Sequence, residues 1–225
     1  MAAGIFVTGT DTGVGKTLVS CALLRAYAAR GLRAVGMKPV AAGCFLREGR
    51  WENEDVDALV AASNVAAAPG DVNPYRFEPP IAPHIAAAGA GVTISLARIE
   101  ASYRTLLGAA DAVVVEGAGG LLVPLSDGTD FTSLARLLEL PVLLVVGMRL
   151  GCLNHALLTA ESLRTHGLAL AGWVANTLDP DMPQFAANLG SLQARLPAPL
   201  LGVLPFGPPD AAAAARLLDP DRLRR

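Results

Sequence analysis

The feature that most constrains the fold is a short apolar run that breaks into a glycine-rich turn and then into a helix. Ile5-Phe6-Val7-Thr8 is followed by Gly9-Thr10-Asp11-Thr12-Gly13-Val14-Gly15-Lys16-Thr17, and residues 16–30 then carry a helical pattern. Strand, glycine-rich turn, Gly-Lys-Thr and helix, in that order, form a phosphate-binding loop: backbone N–H groups and the helix N-terminus meet negative charge, the lysine adds a point cation, and the threonine hydroxyl can ligate Mg²⁺. The spacing is not the strict one. Five residues rather than four separate Gly9 from Gly15, and Thr10 stands where the first glycine is usual. The order of elements still supports the loop.

Such a loop needs a parallel sheet, and the rest of the chain supplies one. Continuous apolar runs at 34–37, 112–115, 142–146, 171–174 and 200–204 read as strands buried on both faces, since a sheet covered by helices on each side has no polar face. Helical stretches at 54–63, 95–109, 131–139, 152–166 and 182–195 separate them. The alternation gives a single doubly wound α/β unit over residues 1–225, with a core at about 4–206 and an uncertain Pro- and Ala-rich tail at 207–225. The five prolines between Ala66 and Gly91 mark a functional loop, and the uncharged stretch 79–97 reads as loop.

Composition narrows the function. Hydrophobic residues make up 52% and charged residues 17%, which excludes a disordered chain, and a net charge of −2 leaves no footprint for nucleic acid or an anionic membrane. The longest strongly apolar run, 140–148, is too short to span a bilayer, and no basic segment precedes the first apolar run. Three cysteines, far apart, fit neither a disulfide framework nor a zinc site, so a cytoplasmic setting is expected.

Only two residues are lysine, Lys16 and Lys38, against sixteen arginines. Lys38 ends the second strand, at the sheet edge where the phosphate loop also lies. Asp55 opens a helix, where an acid often serves only the helix dipole. Glu116 closes an apolar strand beside Gly117-Ala118-Gly119-Gly120, a position suited to a metal or substrate. With Thr17 these acids make a hard oxygen set of the kind Mg²⁺ prefers. Of the histidines, His84 falls in the Pro-rich stretch and is a pocket candidate; His155 and His166 read as structural.

The segments at 6–12 and 14–17, Lys38-Pro39-Val40, Val72-Asn73-Pro74-Tyr75, Pro83-His84-Ile85, 115–120, 150–155, Gly172-Trp173-Val174-Ala175-Asn176 and Pro199-Leu200-Leu201-Gly202 together resemble the dethiobiotin synthetase family, in order from about 4 to 206. The resemblance implies a P-loop NTPase-type fold and an ATP- and Mg²⁺-dependent ligase of biotin biosynthesis that closes a cyclic urea from 7,8-diaminononanoate and CO₂. It implies that Lys16 and Lys38 are catalytic cations and that Thr17, Asp55 and Glu116 hold the metal. ATP would meet Gly13, Val14, Gly15, Lys16, Thr17, Leu18, Asp55, Glu116, Gly117, Ala118 and Gly119, with Asn176, Thr177, Pro205, Phe206 and Gly207 at the base. The diamine would meet Thr12, Lys38, Ala42, Gly117 and Gly119, and, from the second copy of a homodimer, Gly151, Cys152, Leu153 and Asn154. Three positions depart from the pattern: Gly13 stands where some members carry Glu, Ala42 where some carry Ser, and Asn188 near a position where some carry Tyr. A partition-type ATPase switch would carry a lysine early in the loop, where Thr10-Asp11-Thr12 has none. A glutamine-dependent amidase would need a further amidotransferase domain.

Overall fold

A computed structural model describes residues 3–207 and 210–224; Met1, Ala2 and Arg225 at the ends of the expected unit, and Pro208-Pro209 of the tail, lie outside the described residues. In chain order the first half contains β1 (Ala3–Gly9), α1 (Lys16–Ala29), β2 (Ala34–Met37), β3 (Val40–Ala42), β4 (Phe45–Arg47), β5 (Arg50–Glu52), α2 (Glu54–Ala62), α3 (Pro69–Val72), β6 (Tyr75–Phe77), α4 (Pro83–Gly89) and α5 (Leu96–Ala109). The second half contains β7 (Ala112–Gly120), β8 (Pro124–Ser126), β9 (Thr129–Asp130), α6 (Phe131–Leu137), β10 (Val142–Met148), α7 (Cys152–Thr165), β11 (Leu170–Thr177), α8 (Phe185–Arg195), β12 (Leu200–Leu204) and α9 (Ala211–Arg216).

The six apolar runs form one sheet in the order β12-β11-β10-β1-β7-β2, with every neighbouring pair parallel. Strand alternation sends successive side chains to opposite faces. Ile5 and Val7 of β1 therefore join Val19, Leu23 and Leu59 beneath α1 and α2, while Phe6 joins Ile99, Leu106, Phe131 and Leu134 beneath α5 and α6. A third cluster, around Leu144, Val146 and Trp173, lies under α7 and α8. The core is thus double, one layer on each face of the sheet.

Topology decides where a ligand can bind. From β1 the chain passes through α1 to β2 at one edge, and β7 fills the gap between them. From β7 it passes through α6 to β10, on the other side of β1. Connections diverge at the C-terminal end of β1, which opens the crevice that such sheets use for ligands.

Two expectations need correction. The stretch 79–97 is not all loop, because α4 occupies Pro83–Gly89, with Pro83 supplying the fixed φ that favours a first helical turn; the same Pro-rich region also holds α3 and β6. The described part of the tail, residues 210–224, packs onto the fold. Ala214 of α9 is fully buried against the α1 layer, Asp219 N–H donates to the Leu201 carbonyl at 2.9 Å, and Arg224 N–H donates to that of Ala171 at 2.9 Å.

Candidate active site

The loop after β1 is shaped by its glycines. Gly13 (φ 73°) and Gly15 (φ 90°) adopt left-handed backbone that L side chains resist, and a Cβ on Gly15 would collide with the Asn176 amide. Val14 is buried and anchors the loop; a Cβ on Gly147 at the end of β10 would come within 2.9 Å of its Cγ1. Asn176, at the end of β11, donates its side-chain amide to the Val14 carbonyl at 2.9 Å. No side chain caps α1 and no acid sits in its first turn, so the N–H groups there remain available to an anion.

Lys16 opens α1 and donates Nζ to the Asp11 carbonyl at 3.1 Å. Burial, then the nearby Lys38 charge, pulls its ammonium down to about 8 against the opposing pull of Glu116, Asp55 and Asp11. Lys38 is held by a device that residue spacing did not reveal. Its N–H donates to the Val72 carbonyl at 2.8 Å, and its own carbonyl accepts the buried Asn73 amide at 2.6 Å. The parallel β3–β6 pair then continues from Pro39. Asn73 belongs to the Asn-Pro-Tyr segment quoted above, so the signal was present without its meaning.

Around Lys38 three side chains converge from three elements, Thr17 of α1, Asp55 of α2 and Glu116 of β7. Nζ donates to Glu116 Oε1 at 2.6 Å, to Asp55 Oδ2 at 2.7 Å and to the Gly117 carbonyl at 3.4 Å. Thr17 Oγ1 stands 2.7 Å from Asp55 Oδ1 and 2.9 Å from Glu116 Oε1. Lys38 is 3% exposed and Glu116 fully buried, whereas the Asp55 side chain is 44% exposed and reaches the cleft. Burial alone would lower the Lys38 ammonium, but the Glu116 and Asp55 charges and hydrogen bonds hold it above its ordinary value. Burial would raise the Asp55 carboxyl, and the Lys38 charge overrides it and lowers it.

The set fits a hard divalent cation. Thr17 has one hydroxyl proton for two carboxylate oxygens, so one of its two close oxygen contacts lacks a proton, and Glu116 Oε2 is buried without a hydrogen-bond partner. Among the described residues no cluster holds three or more His, Cys, Asp or Glu side chains. Two carboxylates and a hydroxyl suit Mg²⁺, which keeps waters and takes phosphate oxygens for the rest of its shell.

These groups open into a cleft of about 680 Å³ that brings together Thr12, Gly13, Gly15, Lys16, Thr17, Lys38, Ala42, Asp55, Ala118 and Gly119. Its far wall is Pro80 to Pro83, from the Pro-rich stretch expected to be a functional loop, with Val123, which no sequence signal marks. His84, next in sequence, does not line it; its Nδ1 lies buried without a partner within α4. Leu18 packs beneath the loop rather than facing the cleft. Asn176 and Thr177 end β11 beside Leu204 of β12, so Pro205, Phe206 and Gly207 continue along the same sheet edge, with Phe206 56% exposed. Gly151 to Asn154 do not line the cleft of their own chain. Cys152 is buried in the core beneath α7, Asn154 is exposed, and Leu150 beside them is 94% exposed. A salt bridge absent from the spacing argument joins this region to the loop: Arg149 donates to Asp11 Oδ2 at 2.7 Å, while Asp11 Oδ1 accepts Thr12 N–H at 2.7 Å.

A family model described as an AAA domain matches residues 3–212. The chain is 55% identical over 224 residues to the ATP-dependent dethiobiotin synthetase BioD of Nitrosospira multiformis, covering 99% of this chain and 97% of that protein. It is 53% identical over 216 residues to the protein of the same name from Aromatoleum aromaticum, covering 94% and 96%. Among solved structures it resembles the septum site-determining protein MinD of Pyrococcus horikoshii, with TM-score 0.58 and 18% identity over 92% of this chain and 83% of that one. It also resembles the signal recognition particle receptor FtsY of Elizabethkingia anophelis, with TM-score 0.54 and 17% identity over 97% and 63%. These two likenesses show the P-loop NTPase fold. The relatives, nearly as long as this chain and more than half identical to it, show more: the chain belongs to the ATP-dependent dethiobiotin synthetase family.

Proposed function

We propose that the chain is an ATP-dependent dethiobiotin synthetase, a cyclo-ligase of biotin biosynthesis working as a single P-loop unit in the cytoplasm. The observation that carries the reading is one cleft in which the open N-terminus of α1 and the side chains of Thr17, Lys38 and Asp55 face the same space, with the buried Glu116 behind them bonded to Lys38. The reaction it suits begins with an amine of 7,8-diaminononanoate capturing CO₂ as a carbamate. A carbamate oxygen then attacks the γ-phosphorus of ATP and ADP leaves. The second amine attacks the carbamoyl carbon and expels phosphate, closing the cyclic urea.

Negative charge gathers on oxygens throughout, so the chain's task is to position and to stabilise charge. The loop N–H groups of Gly13 to Leu18 and the Lys16 ammonium take the phosphates. Thr17, Asp55 and Glu116 hold Mg²⁺, which neutralises phosphate oxygens when bound. Lys38 meets the carbamate, and Thr12, Ala42 and the backbone of Gly117 and Gly119 border the diamine. Asn176 and Thr177, with Pro205 to Gly207, border the base. The carboxylate tail is received by Gly151 to Asn154 of a second copy. The reading is supported by an uncapped start of α7 at Gly151 (φ 96°) that offers N–H groups away from its own cleft.

Phosphate release from Mg²⁺ and ATP, measured with and without the diamine and bicarbonate, tests the activity. Release that depends on both, with a urea product, supports it; hydrolysis indifferent to the diamine overturns it. For the second copy, Asn154→Ala and Lys38→Ala chains, each inactive alone, regain turnover when mixed and exchanged. No recovery with verified exchange places Asn154 outside a shared site.

A further inference from the structure

We infer that Lys38 is the resident cation of the metal site: its ammonium holds the Asp55 and Glu116 carboxylates together until a metal enters with nucleotide, and metal and Lys38 compete for these oxygens. The inference rests on the proposed synthetase reading and adds an antagonism to it. An ammonium has three protons, and Lys38 spends them on Glu116 Oε1, Asp55 Oδ2 and the Gly117 carbonyl. None is left for the cleft. A lysine in this arrangement cannot also donate to a substrate oxygen, so its present partners must be given up before it can act on one.

Charge counting says when that happens. Lys16 and Lys38 contribute two positive charges and Asp55 and Glu116 two negative ones, so the cluster is neutral as it stands. A bare divalent cation would meet its two carboxylates already neutralised and two ammonium groups nearby, one of them 2.6 and 2.7 Å from the same carboxylates. Like charge at such range in a buried setting is strongly unfavourable. Phosphate oxygens arriving with the metal reverse the balance, because they add negative charge that both lysines can answer. Lys38 leaves two carboxylate oxygens of the cluster to an incoming cation: Asp55 Oδ1, which meets only the Thr17 hydroxyl, and Glu116 Oε2, which is buried without a partner. Phosphate and metal therefore bind together, and their joint arrival frees Lys38 for the carbamate.

The test uses Mn²⁺ alone, without nucleotide, read by electron paramagnetic resonance on the full chain. The wild type binds it weakly. Lys38→Met keeps the bulk of the side chain, removes the competing charge and raises Mn²⁺ affinity at least about tenfold; Lys38→Met with Asp55→Asn loses the gain. Equal Mn²⁺ affinity in wild type and Lys38→Met overturns the inference. A measurement on the unmutated protein guards against a variant that fails to fold. With lysine labelled in ¹³C, the chain gives two side-chain signals, since it has only Lys16 and Lys38. A non-hydrolysable ATP analogue with EDTA shifts the Lys16 signal and leaves Lys38 near its free position, and added Mg²⁺ then moves Lys38. A Lys38 signal unmoved by Mg²⁺ also overturns the inference. None of these readouts needs turnover, so a failure of the synthetase reading shows separately, in the diamine-dependent release of phosphate.

Discussion

Lys16 donates its ammonium to a single backbone carbonyl of the loop and holds no other element in place. Lys16→Ala is expected to cut product formation by about a thousandfold, the scale of losing one preorganised charge-stabilising donor. Stability should change by about 1 kcal/mol or less, because the packing lost with the buried stem is offset by relief of a desolvated ammonium; near-normal turnover would dismiss the phosphate-loop role. A different residue pair carries the pH prediction. Asp111 accepts from both the side chain and the N–H of Arg33, and these hydrogen bonds hold its carboxyl down to about 2. Because the folded value lies below the ordinary one of 3.8, the pair's support is complete above about pH 4 and is lost as pH falls toward 2. Carbon-detected titration of Asp111 in wild type and Arg33→Ala should show its midpoint rise part of the way toward 3.8 in the variant, because the Arg33 N–H bond remains; an unchanged midpoint would remove the Arg33 side chain as the cause. At this scale the sequence is uneven as a guide. Lys16, Thr17, Lys38 and Glu116 stand out because glycine-rich turns and strand ends advertise them. Asn73, Arg149 and Asp11 do not, since their roles depend on partners far away in the chain.

The six sheet strands are legible for one physical reason: burial on both faces demands a run with no polar break, and Val142 to Met148 is buried at all seven positions. The small pairs escape that logic. The β4–β5 hairpin has exposed residues at five of six positions, and β3 and β6 have three residues each, too few for any periodicity. The helix α4 hides among prolines and alanines because Pro83 reads equally as a turn or as a first helical residue. Capping supplies a test at this level. Asp130 ends β9 and caps α6, with Oδ1 accepting Thr132 N–H at 2.8 Å and Ser133 N–H at 3.1 Å. Asp130→Ala should lower stability by about 1 kcal/mol through these lost cap bonds, whereas Asp130→Ser should recover most of it. A urea midpoint in Asp130→Ala equal to the wild type would show that α6 is held by packing alone.

At the scale of the whole molecule the decisive feature is the return of the tail. Its Pro- and Ala-rich composition gives no strong period, so the sequence understated it, yet it closes the α1 face of the sheet. Arg30 pairs with Asp221 at 3.0 Å, Leu218 is buried in the same layer as Leu201 and Leu204, and Asp219 N–H donates to Leu201. The closest approach is at Gly202 of β12, where a Cβ would run into the Leu217 carbonyl oxygen and stand 3.0 Å from Leu218. Backbone cannot yield there as a flexible side-chain end would. Gly202→Ala should therefore lower stability by about 3 kcal/mol by overpacking, although its added methyl is apolar. Gly190→Ala provides the opposite sign, because that glycine lies in the exposed part of α8 with open space at its Cβ, and alanine there should add up to about 1 kcal/mol. Urea denaturation separates the two: a lower midpoint for Gly202→Ala with an unchanged slope marks lost stability of the same folded state. If Gly202→Ala unfolds with the wild-type midpoint, the tail does not bear on β12, and chains shortened before Asp210 should then be as stable as the full one.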